Sequence, residues 1–123
     1  MSEGLIIDDN RQTADALGQM LEVLGFKARP AYGSTAAIAV LGTGFTPQFI
    51  CLDINMPGVN GLEMTRQIKT ASPPVKIVVF SSYDDETYRA RAKATGASAY
   101  VPKKVILTEL IPTLDMLLAN IQE

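Results

Sequence analysis

Residues 49–61 read FICLDINMPGVNG. Three apolar side chains and a cysteine run straight into Asp53. Ile54, Asn55 and Met56-Pro57-Gly58 follow, and a further glycine stands at position 61. A short apolar run bounded by Pro and Gly reads as a buried strand entering a turn. The question is why a single carboxylate stands at the tip of that strand, before a turn that looks built to hold it.

Working outward, the chain reads as five rounds of a short apolar run followed by a helical pattern. Leu5-Ile6-Ile7 ends at Asp8-Asp9; Leu17, Met20, Leu21 and Leu24 then recur at helical spacing, with Gly25 as a stop. Residues 26–31 form a weak second strand, and Ser34 is placed to cap a short Ala-rich helix that runs out at Gly42 and Gly44. Residues 49–52 are the third strand. Leu62, Thr65 and Ile68 mark one face of a third helix, which Pro73-Pro74 ends. Residues 75–80, rich in β-branched side chains, are the fourth strand. Asp84 or Asp85 can cap a fourth helix that has little apolar face beyond Tyr88 and Ala92, which makes it a candidate mobile element. Gly96 closes it, and residues 97–101 form the fifth strand. The last helix is expected to start near Thr108. Leu110, Leu114, Leu117, Leu118 and Ile121 then share a face, and Pro112 falls near the first turn, where it is tolerated. Strands alternating with helices at this spacing predict an α/β domain with a parallel sheet covered on both faces, one domain over residues 1–123.

The totals prune the functions available. A chain of 123 residues buries roughly two-thirds of its unfolded surface, and 47 % apolar content suits a soluble globular domain. Thirteen acidic and eleven basic residues leave a net charge of −2, so there is no basic footprint for nucleic acid. No apolar run approaches the roughly 20 residues that span a membrane, and the opening MSEG is unlike a signal peptide; cytoplasm is the default location. The sequence holds no histidine, which excludes a Ser-His-Asp triad, a His-ligated metal and a phosphohistidine donor within this chain. Cys51, the only cysteine, reads as a small buried hydrophobe.

In open α/β sheets the ligand crevice lies beyond the carboxyl ends of the strands, where strand order reverses. Strand one ends in Asp8-Asp9, strand three in Asp53, strand four in Ser81-Ser82, and strand five near Lys103. Crowded carboxylates raise one another's pKa unless a cation sits among them. Oxygen ligands without nitrogen or sulfur favour Mg²⁺, Mn²⁺ or Ca²⁺, and a site with two or three carboxylates suits Mg²⁺. Three Asp and one Lys leave two negative charges, which one Mg²⁺ balances. The turn after Asp53 can aim the Asn55 carbonyl at that metal. A phosphoryl group on Asp53 would meet the metal on one side and Lys103 on another, with the Ser81 hydroxyl donating to a further oxygen.

The Asp8-Asp9 pair, Asp53 within DINMPGVNG, Ser81, and GASAYVPK leading to Lys103 resemble the receiver domain of bacterial two-component response regulators. The likeness covers essentially the whole chain. It implies a flavodoxin-like, doubly wound sheet of five parallel strands in the order 2-1-3-4-5 with five helices. It implies that Asp53 accepts a phosphoryl group from the phosphohistidine of a sensor histidine kinase or phosphotransfer protein. Asp8, Asp9, Asp53 and the Asn55 carbonyl would hold Mg²⁺, with Mn²⁺ as a substitute. Ser81 and Tyr100 take the family's switch positions, and Asn55 and Tyr83 hold positions that tune hydrolysis of the aspartyl phosphate. Ser82 leaves access to the phosphoryl group. The fourth helix, fifth strand and fifth helix form the usual output face, and the first helix, from near Arg11, the usual kinase-docking surface. The resemblance implies output to a protein partner, to the DNA-binding output domain of a longer regulator, or to a second copy of the chain on phosphorylation. No membrane contact and no direct nucleic-acid contact are implied. One departure stands out: many receivers have Lys-Pro with a cis bond where this chain has Lys103-Lys104, and a non-proline cis bond costs about 3 kcal/mol.

Each residue also has a plainer reading. Asp8 or Asp9 could cap the first helix, Asp53 could form an Asx turn, Ser81 could be a cap, and Tyr100 could fill the core. Lys104 reads as a surface charge. Two other functions compete with a signalling domain that is not a turnover enzyme. An aspartate-nucleophile phosphatase needs an acid-base carboxylate two residues after the nucleophile, where this chain has Asn55. A pure interaction domain would keep the fold without needing the full acid set.

Overall fold

A computed structural model describes residues 2–83 and 85–119. The elements are β1 (Glu3–Ile7), α1 (Arg11–Val23), β2 (Lys27–Ala31), α2 (Ser34–Gly42), β3 (Phe49–Asp53), α3 (Gly61–Ala71), β4 (Lys76–Ser81), α4 (Glu86–Ala94), β5 (Ala99–Pro102) and α5 (Ile106–Leu118). A single 3-10 turn, Lys103–Val105, joins the last two. All strand pairs are parallel, and the order is β2-β1-β3-β4-β5. This is the doubly wound, flavodoxin-like arrangement that the pattern and the resemblance predict. The order reverses between β1 and β3, so a crevice opens past their carboxyl ends.

The near-continuous apolar strands are explained by burial on both faces. Leu5 and Ile7 of β1, Ile50 and Leu52 of β3, and Ile77 and Val79 of β4 face one core with Ala37, Met64, Ile68 and Ala92. Ile6, Phe49, Cys51, Val78 and Phe80 face the other with Leu17, Leu21, Leu110 and Leu114. So α2, α3 and α4 cover one side of the sheet, and α1 and α5 the other. Each Leu, Ile, Val, Phe or Met buried this way contributes about 1.5–3 kcal/mol relative to exposure. The rigid strands position the polar residues at their tips.

Several local expectations are corrected. The N-cap of α2 is Gly33, not Ser34, which is already the first helical residue. The N-cap of α1 is Asn10, whose side chain accepts from Thr13 N–H at 3.0 Å; neither Asp8 nor Asp9 caps it. Leu24 is exposed, because the helix has already ended beside it. Asp85 caps α4 by accepting from Tyr88 N–H at 2.8 Å; Asp84 lies outside the described residues, as does Ile121. The last helix starts at Ile106 rather than Thr108, so Pro112 sits inside it, beyond the first turn. An interior proline removes one intrahelical hydrogen bond, and here the gap falls on the exposed outer side of α5, where Thr108 and Pro112 stand. The fourth strand runs one residue further than expected and takes in Ser81, while the fifth begins at Ala99. The Lys103-Lys104 bond is trans, like every peptide among the described residues.

Candidate functional site

Register brings the acids together. Ile7 pairs with Leu52 across β1 and β3, so Asp8 and Asp53 come level on neighbouring strands. Both are buried, while Asp9 is exposed. One carboxylate oxygen from each of Asp8, Asp9 and Asp53 lies within 4.8 Å of the others. Each buried acid is fixed by the same local device. The Asn10 N–H donates to Asp8 Oδ1 at 2.9 Å, and the Asn55 N–H donates to Asp53 Oδ1 at 2.9 Å. Side-chain-to-backbone bonds two residues on are the Asx turns that Asp favours.

The second oxygens differ. Lys103 opens the 3-10 turn after β5, and its Nζ donates to Asp53 Oδ2 at 3.0 Å. The same Nζ is 4.0 Å from Asp8 Oδ2. That oxygen is buried and, among the described residues, is left without a hydrogen-bond partner. Burial pushes the Asp8 carboxyl up to about 6; the Asn10 N–H opposes this, the Asp53 charge adds to it, and Lys103 pulls it back. A buried, unpartnered carboxylate oxygen beside two more acids is the arrangement a hard divalent cation relieves. The oxygen-only donor set fits such an ion.

The turn after Asp53 is shaped by close packing. Gly58 has φ +71°, a left-handed conformation that favours glycine. A Cβ on Gly61 would lie 2.4 Å from Ile54 Cα, so only glycine lets α3 begin this close to the acidic tip. Asn60 caps that helix by accepting from Glu63 N–H at 3.1 Å.

Ser81 does not point at Asp53. Its hydroxyl donates to Asn55 Oδ1 at 2.9 Å and accepts from Tyr83 N–H at 3.0 Å. The Ser82 N–H also donates to Asn55 Oδ1, at 2.7 Å. The Tyr100 hydroxyl donates to the Tyr83 backbone carbonyl, and its ring, half-buried, lies under the Arg89 guanidinium at 4.9 Å. The Tyr83 ring stacks on Tyr88 with centroids 5.1 Å apart. Thus the acids and Lys103 meet directly. Ser81 and Tyr100 join one another through residue 83, and among the described residues Ser81 reaches the acids through Asn55.

Comparison with known proteins decides the family. Residues 5–115 match the description "Response regulator receiver domain". The chain belongs to that family. This receiver is 37 % identical over 108 residues to "Transcriptional regulatory protein DegU" of Brevibacillus brevis, covering 87 % of the chain and 46 % of that protein. It is 29 % identical over 114 residues to "Response regulator MprA" of Mycobacterium avium, covering 93 % of the chain and 50 % of that protein. The chain therefore spans about half the length of the curated relatives it matches. Among solved structures, the signal receiver domain of a DNA binding response regulator from Colwellia psychrerythraea superposes with a TM-score of 0.88 at 28 % identity, covering 97 % of this chain and 99 % of that one. A response regulator from Burkholderia pseudomallei, solved with a phosphorylated aspartic acid, calcium ion and citrate, shares the fold with a TM-score of 0.85 at 24 % identity, covering 99 % of this chain and 71 % of that one. Among the described residues of the receiver, no helix is long and apolar enough to cross a membrane.

Sequence reasoning found the acids and the ammonium because strand ends are legible. It missed three supports. Asn10 and Asn60 are caps that stand immediately before Arg11 and Gly61, a signal that could have been read. The Asn55 side chain, expected to matter through its carbonyl, ties two segments 26 residues apart, which no local pattern announces.

Proposed function

We propose that this receiver acts in two-component signal transduction by accepting a phosphoryl group on Asp53. The donor is the phosphohistidine of a sensor histidine kinase or phosphotransfer protein. A carboxylate oxygen of Asp53 forms the new bond to phosphorus as the phosphorus–nitrogen bond breaks; the electron pair leaves with the imidazole nitrogen, which takes a proton from water. Asp8, Asp9, Asp53 and the Asn55 backbone carbonyl would hold Mg²⁺, or Mn²⁺ in its place. When bound, such an ion offsets the negative charge on the transferring group. Lys103 holds its ammonium against the acceptor and pairs with a phosphoryl oxygen.

The reading rests above all on Lys103 Nζ standing 3.0 Å from Asp53 Oδ2 beside the unpartnered Asp8 Oδ2. After transfer, the Ser81 hydroxyl turns to the phosphoryl group, the Tyr83 backbone moves with it, and Tyr100 follows. Ser82 leaves the phosphoryl group accessible, and residues 55 and 83 tune its hydrolysis. The output face is α4, β5 and α5, and α1 is the kinase-docking surface. Output passes to a protein partner, to a DNA-binding or other domain of a longer regulator, or to a second copy of the chain. We take residues 1–123 as one receiver domain working in the cytoplasm without direct nucleic-acid contact. It is not a turnover enzyme: two residues after Asp53 stands Asn55, which cannot exchange a proton at neutral pH.

The test is labelling by acetyl phosphate with Mg²⁺, read as a mass gain on the intact protein. Asp53→Asn is expected to lose all labelling, and Lys103→Ala to label without the wild-type change in amide resonances. Labelling of Asp53→Asn at the wild-type level would sink the acceptor assignment.

A further inference from the structure

The side chain of Asn55 makes a contact that the signalling reading does not need. Its Oδ1 receives two donors at once, the Ser81 hydroxyl at 2.9 Å and the Ser82 N–H at 2.7 Å. A backbone N–H can only donate, so the atom at their meeting point is the amide oxygen and not the nitrogen. The Asn55 backbone is itself held 2.9 Å from Asp53 Oδ1, which keeps this oxygen next to the acceptor. The side chain is not needed as a helix cap, because Asn60 caps α3.

Two convergent donors beside an acidic acceptor are what an incoming anionic oxygen would use. A hydroxyl has one proton, and that of Ser81 is given to Asn55, while its lone pairs take the Tyr83 N–H. It cannot serve Asn55 and a phosphoryl oxygen together. We propose that the Asn55 amide oxygen is an internal competitor: it occupies the Ser81 and Ser82 donors in the resting state and must be displaced before a phosphoryl group on Asp53 can claim them. This rests on Asp53 being the acceptor. Through Tyr83, whose N–H meets Ser81 and whose carbonyl meets Tyr100, the same contact holds the Tyr100 ring in its resting place. Asn55 is thus a positioning residue that sets how readily the receiver switches.

The test uses beryllofluoride, a phosphoryl mimic, titrated into the whole chain at saturating Mg²⁺ and followed by the Ser82 and Tyr100 amide resonances. Asn55→Leu keeps the branched shape and removes the acceptor; its half-saturating concentration is expected to fall about fivefold, as loss of a competing hydrogen bond predicts. In a Ser81→Ala background the same change should yield about twofold, because only the Ser82 donor remains contested. In the free protein, Asn55→Leu should also shift the Ser82 amide upfield, and Asn55→Ala, a smaller change, should do the same. A fivefold gain that shrinks without Ser81 upholds the competition. Unchanged or weaker binding in a variant that melts like wild type overturns it, as does an unmoved Ser82 resonance. A wild-type chain blind to beryllofluoride would overturn the acceptor reading and this inference together; a responsive wild type with unimproved variants overturns this inference alone.

Discussion

Residues 8–10 read Asp-Asp-Asn and residues 53–55 read Asp-Ile-Asn. The two tripeptides sit side by side at the ends of adjacent strands, and each begins with a buried acid whose Oδ1 takes the N–H two residues on. They then part. The Asn10 side chain turns back onto its own helix as a cap, whereas the Asn55 side chain crosses to the end of β4. Asp53 Oδ2 has an ammonium at 3.0 Å, and Asp8 Oδ2 has only the edge of it at 4.0 Å. One local geometry therefore serves two ends. The first tripeptide makes a charged socket anchored to α1; the second makes a charged tip tied to the end of β4. The backbone hydrogen bond does not distinguish them. The partner of the second oxygen does.

Substitutions can break this pairing or sharpen it. The largest effect is expected at Gly61, whose missing side chain lets α3 begin against Ile54 and so supports only the second tripeptide. Gly61→Ala places a Cβ 2.4 Å from backbone and should cost about 3 kcal/mol by denaturant unfolding. A loss near zero would mean that the turn after Asp53 is freer than its packing implies. Next comes Asp8. Its folded carboxyl lies near 6 against an ordinary 3.8, so between those values the folded chain binds a proton that the unfolded chain does not. Stability of the metal-free protein should therefore rise as pH falls from 7 through that window, by about 2 kcal/mol. Asp8→Asn should abolish this slope and raise the melting temperature at pH 7, while Mg²⁺ should no longer stabilise the chain. A flat profile in the wild type would contradict the burial of a carboxyl with one oxygen left without a hydrogen bond. Asn10→Ala removes the cap and should cost about 1 kcal/mol by denaturant unfolding, without the tighter beryllofluoride binding expected of Asn55→Leu. The smallest change in stability belongs to Asp9, which is exposed: Asp9→Ala should stay within about 0.5 kcal/mol yet bind Mg²⁺ clearly more weakly in a metal titration. Equal losses in both would make Asp9 a structural residue.

The strands were legible because apolar runs as short as Leu5-Ile6-Ile7, bounded by charge or turn residues, have few other ways to be buried. Asp8, Asp53 and Lys103 were legible because they stop such runs. Other features depend on tertiary neighbours. Leu24 keeps helical spacing but falls at a helix end that meets solvent. The helix expected from near Thr108 starts at Ile106, and the Thr108 hydroxyl donates back to the Val105 carbonyl within a helix already begun. Nothing near Asn55 in the chain hints at Ser81 as its partner, and only the β3–β4 register brings them into reach. Local pattern specifies which residues stand at the rim; the direction each side chain takes is a property of the finished sheet.

The lysine that meets Asp53 arrives 50 residues later in the chain. Synthesis runs from the N-terminus, so Asp53 leaves the ribosome well before Lys103, and β5, which leads to that lysine, is the last strand to be made. A half-made chain therefore carries the buried acid without the ammonium that meets it in the finished fold. Only the finished sheet brings the two charges of this ion pair together.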